Sequence, residues 1–316
     1  MSIASAKSMP AAPSGEDRAS GMTGFDYGLY ATTIVVWGTS WYAIRLQLGV
    51  VSPEVSIVWR FTMATAIMVV WAIITRAPFK FSPELHARFA TLGVTIFSTN
   101  FALFYYAGVY VPSGLLAVIF SLSSIVNMLL AAAIFREKLE WRLVAGAIFG
   151  VCGVICMFLP QVMGVSLNFS ALFALVLGAC AVLSFCAGNM MSRSLQEARV
   201  PLLSANMWGM FYGTLWMAFI AFLSGDPFII DTSVTYISSL LYLAVFSTVI
   251  AFASYLTLVR RIGPGRASYA TVMFPIVALA ISTLFEGYQW TFIALVGMAL
   301  ALFGNVLVLA RPKKQS

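Results

Sequence analysis

The sequence predicts an all-α integral membrane protein whose ten transmembrane helices form two inverted repeats of five. Composition is the first reason. Of 316 residues, 61% are hydrophobic and only 9% are charged, and the mean hydropathy is +0.95. A soluble domain is nearer half apolar and a quarter charged, so lipid must be the solvent for most of this chain. The other reasons are the lengths of the apolar runs and the placement of the basic residues.

Ten runs of the chain carry no charge or almost none. Most have the roughly 20 residues that an α-helix needs to cross about 30 Å of hydrocarbon. They lack the two-residue alternation of an outer-membrane barrel. Lipid offers no hydrogen-bond partners to the backbone, so each run is predicted to be an α-helix, in which backbone groups bond to each other. The predicted spans are Tyr27–Gln47, Pro53–Thr75, Phe89–Val111, Pro112–Phe135, Leu143–Leu159, Phe169–Met191, Pro201–Leu223, Val234–Val259, Gly265–Phe285 and Trp290–Ala310.

The net charge of +7 is confined to one side of the predicted membrane. Of the 18 basic residues, 16 lie in the tails or in the loops after spans two, four, six and eight. The exceptions are Arg45, at the end of span one, and Arg60, inside span two. Because basic loops stay in the cytoplasm, both termini are predicted to be cytoplasmic, in a bacterial inner membrane. The same distribution argues against nucleic acid as a partner.

The tails and the cysteines are not predicted to form a functional site. Residues 1–25 are rich in Ala, Ser, Pro and Gly and lack the apolar core of a signal peptide. They are predicted to be a disordered cytoplasmic tail, and residues 312–316 a second tail. The four cysteines fall within spans and are interpreted as small hydrophobes. With the single His86 expected in a cytoplasmic loop, the sequence predicts no metal and no cofactor.

An internal repeat sets the domain organisation. Residues 112–159 and 264–309 share one plan: a Pro near the start of an apolar run, a Glu at its end, a Trp four residues later and a Gly-bearing final run. The two glutamates are Glu137, in a basic turn, and Glu286, in a turn without Lys or Arg. The halves, residues 26–160 and 168–311, have five spans each. Because five is odd, the second half is inverted relative to the first.

Inverted repeats favour a transporter. They allow nearly equivalent outward-open and inward-open conformations, with the substrate near the middle of the membrane. A duplication kept for packing alone is the alternative. Spans five and ten, which carry Gly146, Gly150 and Gly153 and Gly297 and Gly304, are predicted to be a scaffold in which the two helices brace each other, because small residues let helices approach closely.

Several of these features resemble one family. Trp37-Gly38-Thr39-Ser40 in span one, Arg60-Phe61 in span two and the two Glu turns followed by Gly-rich spans are similar to the EamA family of the drug/metabolite transporter superfamily, over residues 27–311. Within it, the sequence is most similar to aromatic amino acid exporters. The resemblance implies a central cavity among spans one to four and six to nine. That family commonly has a proline in the middle of spans four and nine. Pro275 is present, but Ser123-Ser124 stands in span four, so hinging that uses the proline would differ between the halves.

The candidate substrate-binding residues are aromatic or polar. Trp37 and Trp41, four apart, share a helix face and are predicted to be an aromatic wall, the alternatives being that they face lipid or pack between helices. Arg60 lies about 10 Å deep, where a charge costs at least ~2.5 kcal/mol unless solvated. It could face a substrate carboxylate or an aqueous cavity, or reach the surface or helix-end carbonyls. The other candidates, each of which could instead bond helix to helix, are Ser40, Asn100, Phe104, Tyr105, Ser124, Asn189, Tyr212, Tyr255, Tyr269, Met273 and Pro275.

These residues predict a cavity of rings and neutral polar groups. Such a cavity suits amphipathic or zwitterionic solutes and lipophilic cations, and it lacks the Lys/Arg cluster that sugar phosphates require. Together with the resemblance, this predicts export of aromatic amino acids or similar metabolites by a monomer in the lipid bilayer. No Asp or Glu lies mid-span, so the substrate is expected to move down its own gradient. The alternatives are a multidrug or other-metabolite exporter and, less consistent with these residues, an embedded enzyme or a channel.

Overall fold

The computed structural model describes residues 22–136, 140–163 and 168–309, without the side chains of residues 264 and 265. Over these ranges the chain forms ten helices, one for each predicted span. They are α1 (Gly24–Arg45), α2 (Pro53–Ile74), α3 (Pro83–Gly108), α4 (Ser113–Phe135), α5 (Trp141–Val162), α6 (Phe169–Glu197), α7 (Leu202–Ser224), α8 (Val234–Ile262), α9 (Ala270–Phe285, after a short turn at Pro264–Ala267) and α10 (Phe292–Leu309).

Eight of the described helices, all except α1 and α9, are long and apolar enough to cross a membrane by length and composition. Helix α9 is apolar but has 16 residues. Helix α1 has 22 residues, with Gly, Thr, Ser and Tyr among its Val and Ile. The predicted disordered tails, apart from residues 22–25, and the turn at Glu137 lie outside the described residues.

Helix α3 begins earlier than predicted. Its first residue is Pro83 rather than Phe89. The Ser82 hydroxyl accepts a hydrogen bond from the Leu85 N–H, and a proline in the first turn loses no helical hydrogen bond. The prediction that His86 lies in a loop was therefore wrong, because this residue lies in the first turn of a helix.

The helix contacts are related in pairs by the inverted repeat. Helix α2 packs on α7, α4 on α9 and α5 on α10, so each contacts its own counterpart. The contacts of α1 with α8 and α9 are matched by those of α6 with α3 and α4. A two-fold axis in the membrane plane produces this pairing.

The two ends of the bundle can be told apart by their charged residues. Asp26, near the start of α1, forms an ion pair of 2.5 Å with Arg261, near the end of α8. Glu286 follows the last residue of α9, at the other end. We call these ends the basic side and the Glu286 side.

Helices α5 and α10 pack through glycines, which confirms the predicted brace. A Cβ atom on Gly153 would lie 2.4 Å from the backbone nitrogen of Ala301. A Cβ on Gly297 would lie 2.6 Å from the Gly153 carbonyl oxygen, and one on Gly304 would lie 2.6 Å from that of Gly146. The two backbones are therefore in direct contact, and larger side chains would force them apart.

Helices α3 and α8, which correspond in the repeat, each contain a π-helical segment, at Gly93–Thr99 and Tyr242–Ile250. In each, a hydroxyl donates to the carbonyl five residues earlier, at 3.0 Å from Ser98 and 2.8 Å from Thr248. The first segment packs on α6 and α7, and the second on α1 and α2. Such segments are rare and often mark functional sites.

Helix α4 is interrupted in the middle, although it has no proline there. It is helical over Ser113–Ser121 and again over Ser123–Phe135. Beside the interruption, the hydroxyls of Ser121 and Ser124 each donate to a carbonyl three residues earlier, at 2.7 and 3.1 Å. Such bonds compete with the regular backbone ladder and bend helices. In α9, by contrast, Pro275 lies within a continuous helix.

Candidate functional site

Five aromatic rings from five helices meet in the interior of the bundle. We call Trp41, Phe104, Phe120, Phe185 and Phe274 the aromatic cluster. Phe120 contacts the other four, with ring-centroid distances of 5.5 Å to Trp41, 5.8 Å to Phe104, 4.8 Å to Phe185 and 6.1 Å to Phe274. The central ring therefore belongs to the residue just before the interruption of α4.

The rings of the aromatic cluster differ in exposure. Trp41 is buried, whereas Phe120 and Phe185 are only partly buried. Trp37 lies one turn nearer the basic side and packs on Tyr255 with 5.2 Å between ring centroids; both rings are also partly exposed. These two rings extend the group of aromatic side chains toward the basic side.

On the Glu286 side, one carboxylate joins α4 to α9. Glu286 accepts hydrogen bonds from the backbone N–H of Ser113 at 3.0 Å, from its hydroxyl at 2.6 Å and from the hydroxyl of Ser282. The N–H of Gly114 donates to Ser282 at 2.7 Å, and the Arg45 guanidinium lies 3.8 Å from Glu286. A carboxylate of one helix therefore satisfies free N–H groups at the start of another. We call this set of contacts the Glu286 closure.

On the basic side, α4 and α9 have different neighbours. The second half of α4, Ser123–Phe135, packs on α6, α5 and α10. Asn189 of α6 donates to Asn127 at 3.3 Å, and Ser124 bonds to Asn305 of α10. Helix α9 packs instead on α1. The two helices touch on the Glu286 side and diverge toward the basic side.

We expect Glu286→Ala to loosen the Glu286 closure. The change removes charge-assisted hydrogen bonds worth about 1.5–3 kcal/mol each. Leu279, which is 1% exposed on α9, should then become accessible. In a background without native cysteines, a cysteine at position 279 should react with maleimide at least about tenfold faster in the Glu286→Ala variant, since 1.4 kcal/mol is a factor of ten. Asp231→Ala is the control, because this carboxylate bonds only within its own loop. Equal labelling rates would contradict a closing role for Glu286.

Arg60 lies in a second buried group. Its side chain is 3% exposed. The guanidinium carbon lies 4.5 Å from the centre of the Phe101 ring and 5.3 Å from that of Phe61, and Nη2 donates to Thr248 at 3.3 Å. Among the described residues, Nε and Nη1 have no hydrogen-bond partner. This burial excludes the predicted alternative in which Arg60 reaches the membrane surface.

Two further polar side chains belong to the Arg60 group. The Tyr105 hydroxyl donates to Gln47 Oε1 at 2.5 Å, and Tyr105 lies one turn after Phe101, the ring that covers the guanidinium, on the same face of α3. The Gln47 Nε2 amide has no partner. Phe104 and Tyr105 are consecutive residues of α3, so this helix lies between the aromatic cluster and the Arg60 group.

The structure brings together some of the predicted site residues. Trp37, Trp41, Phe104 and Tyr255 lie in or beside the aromatic cluster, and Arg60 and Tyr105 lie in the second group. Ser40 sits between the two tryptophans but donates to the Trp37 carbonyl of its own helix at 2.7 Å.

Other predicted site residues bond elsewhere. Ser124 and Asn189 make the interhelical bonds described above. Asn100 is buried and donates to the Ile96 carbonyl at 3.3 Å. The Tyr212 hydroxyl lies 3.0 Å from His86 Nδ1, near the start of α3.

Three predicted residues belong to the α9 region but face different ways. Met273 is 43% exposed, and it precedes Ser282 by nine residues, or two and a half turns at 3.6 residues per turn. It therefore lies on the face of α9 opposite the Glu286 closure. Tyr269 precedes the helix, and Pro275 is buried within it.

Sequence reasoning missed three rings of the aromatic cluster: Phe120, Phe185 and Phe274. The inverted repeat carried a signal for one of them. Phe185 is the 17th residue of α6, close to the place of Trp41 as the 18th of α1. Among the described residues, no group of three or more His, Cys, Asp or Glu side chains could hold a metal ion.

Two five-helix units that are inverted across a membrane, with aromatic rings from both units meeting in the interior, are typical of a secondary transporter. The chain belongs to the EamA-like transporter family, whose model matches residues 27–159 and 172–310. It is a multi-pass membrane transporter with a small-molecule substrate, and not an enzyme.

Named relatives agree with this class. The chain is 24% identical over 279 residues to a probable amino-acid metabolite efflux pump of Salmonella typhimurium, covering 86% of this chain and 90% of that protein. It is 23% identical to an uncharacterized transporter of Archaeoglobus fulgidus, covering 89% and 97%. A solved crystal structure has the same fold, with a TM-score of 0.64 at 16% identity, covering 89% of this chain and 95% of that chain. The names of these proteins specify no aromatic amino acid.

Proposed function

We propose that this transporter exports aromatic amino acids, or metabolites of similar size and amphipathic character, from the cytoplasm. The observation that carries the proposal is the aromatic cluster, with Phe120 at its centre and with Trp37 and Tyr255 extending it toward the basic side. Aromatic rings prefer offset or edge-on partners 4.5–7 Å between centroids. A planar substrate ring can therefore replace one protein ring beside Phe120 without loss of contact geometry.

In this proposal the substrate enters from the side on which α4 and α9 diverge, and its concentration gradient sets the direction of transport. Basic loops stay in the cytoplasm, so the basic side is the cytoplasmic side in our proposal, and both termini lie there. The Glu286 side then faces the periplasm of a bacterial inner membrane. The arrangement described here is the inward-facing one: closed by Glu286 outside and divergent inside.

Alternating access follows from the inverted repeat. Helices α4 and α9 are counterparts. In the inward-open state their ends on the Glu286 side are in contact, and in the outward-open state their ends on the basic side would be in contact. The interruption of α4 after Ser121 lets its two halves tilt separately, while α9 moves as one helix containing Pro275. Loosening of the Glu286 closure and approach of the inner halves would carry a bound solute outward. We propose that one chain suffices, since every helix of this cycle belongs to it.

The substrate moves down its own gradient in this proposal. The sequence places no Asp or Glu in the middle of a span, and the buried carboxylates Asp26, Glu54 and Glu286 lie at helix ends. Counterflow in liposomes at equal internal and external pH should therefore proceed without an imposed proton gradient. Transport that occurs only when such a gradient is imposed would contradict this.

We expect Trp41→Ala to lower counterflow of radiolabelled tryptophan and phenylalanine by at least about tenfold. Trp41 is 8% exposed and holds Phe104 edge-on at 4.9 Å. Its loss removes a large contact worth about 3 kcal/mol or more. The assay uses purified protein in liposomes, with the amount of folded protein measured by size-exclusion chromatography.

Trp141→Ala is the matched control for this prediction. Trp141 begins α5 and is 71% exposed, so its removal should leave counterflow unchanged. Full activity of both Trp41→Ala and Phe120→Ala would show that the aromatic cluster does not bind substrate. Competition by lipophilic cations but not by phenylalanine or tryptophan would instead favour a multidrug exporter.

A further inference from the structure

Arg60 carries a charge that the described protein does not neutralise. No described carboxylate lies within ion-pair distance of it; the described ion pairs use Arg45, Arg88, Arg193 and Arg261. The Phe101 ring covers the cation, and Thr248 is the acceptor of its one hydrogen bond. A buried cation without an anion is strongly unfavourable, and ionisable groups inside membranes mark functional sites by default.

The fold itself does not require a cation at this position. Arg60 follows Ser56 by four residues in α2, and Ser56 follows Pro53 by three. In the counterpart helix α7, Pro201 and Ser204 have the same spacing, and the residue four further on is Trp208. One repeat therefore builds the same helix with an uncharged side chain.

Three donors of the Arg60 group have no partner in the described part of the chain. They are the guanidinium Nε and Nη1 and the Gln47 amide Nε2, all buried. The Tyr105 hydroxyl already donates to Gln47. A carboxylate supplies two acceptor oxygens and a negative charge, and the planar guanidinium binds it through parallel hydrogen bonds from two adjacent nitrogens, here Nη2 together with Nε or Nη1.

We infer that Arg60, with Gln47 and Tyr105, binds the carboxylate of the transported amino acid. This inference rests on the proposed function and makes the substrate a carboxylate-bearing solute. The guanidinium is covered in the inward-facing arrangement. It becomes reachable when α3 withdraws Phe101, so carboxylate binding accompanies the conformational change. Thr248, in the π-helical segment of α8, donates its own proton to Leu243 and so keeps its oxygen lone pairs toward the guanidinium.

The test compares two probes that differ by one carboxylate, tryptophan and tryptamine, in counterflow assays with purified protein. Wild-type protein should carry tryptophan in preference to tryptamine. Arg60→Met keeps an apolar side chain against Phe101. It should lower tryptophan counterflow by at least about tenfold, the size of a lost charge-assisted hydrogen bond, and leave tryptamine unchanged. Arg60→Lys should restore part of the tryptophan activity, because it returns the charge without the planar fork.

Trp208→Phe is the matched control. It removes another buried donor without a partner, at the corresponding position of the second repeat, and should leave the tryptophan-to-tryptamine ratio unchanged. A second arm repeats the assay in chloride-free gluconate buffer. Tryptophan counterflow that depends on chloride in wild type but not in Arg60→Met would show that Arg60 holds chloride, and it would overturn the carboxylate assignment.

Two other outcomes separate this inference from the proposed function. An equal fall of tryptophan and tryptamine counterflow in Arg60→Met would assign Arg60 a structural role and leave the proposed function standing. Wild-type protein that carries neither probe would overturn the proposed function, and the carboxylate assignment with it.

Discussion

A disulfide between positions 113 and 282 is expected to stop transport reversibly. The hydroxyl oxygens of Ser113 and Ser282 lie 3.2 Å apart across the Glu286 closure. Side chains that touch in this way bring the two Cβ atoms close to the separation of about 3.5–4.5 Å that a disulfide requires. In a background without native cysteines, Ser113→Cys/Ser282→Cys should cross-link under mild oxidation and hold the inward-facing state. Tryptophan counterflow should then fall by at least about tenfold and return after treatment with dithiothreitol.

The control pair differs by one residue. Thr283 follows Ser282 but lies about 100° around α9, since 3.6 residues make a turn. It donates to the Leu279 carbonyl of its own helix. Ser113→Cys/Thr283→Cys should therefore not cross-link, and oxidation should not change its transport. If the cross-linked Ser113/Ser282 pair transports at the wild-type rate, α4 and α9 do not separate on this side during the cycle.

The largest stability effect is expected at the contact between α5 and α10. A leucine at position 153 cannot be accommodated, because even its Cβ atom would lie 2.4 Å from the backbone of Ala301. Overpacking of this kind costs typically 1–3 kcal/mol and sometimes more. We expect Gly153→Leu to lower the melting temperature of the purified protein by roughly 5–10 °C and to reduce the folded yield, as measured by differential scanning fluorimetry and size-exclusion chromatography.

A glycine in open space provides the comparison. Gly28 lies in α1, and a Cβ atom there would meet nothing within 4 Å. Gly28→Ala should be neutral or should stabilise the helix by about 0.5–1 kcal/mol. A Gly153→Leu variant as stable as wild type would mean that α5 and α10 do not brace each other.

The sequence was most informative where lipid dictates the structure. Backbone groups in hydrocarbon must pair within a helix, so each apolar run had to become one, and ten predicted spans became ten helices. The start of α3 was misplaced because Ser82 and Pro83 extend it beyond its apolar run. Helix ends depend on capping, which hydropathy does not report.

The candidate site was harder to predict, because a polar residue in a span can face a cavity or another helix. Ser124 and Asn189 were predicted to bind substrate, yet both bond to neighbouring helices. Phe120 was overlooked, since one Phe among 25 carries no distinguishing mark. Its position becomes central only when five helices converge on it.

The sequence by itself determined the helices, the repeat, the basic side and the buried charge at Arg60, because these follow from the solvation of groups along one chain. Tertiary structure alone decided that Glu286 joins α9 to the start of α4, that Phe120 lies at the centre of the aromatic cluster and that Arg60 has no anionic partner among the described residues. Each of these depends on which side chains from distant helices come within a few ångströms, and no local pattern specifies that.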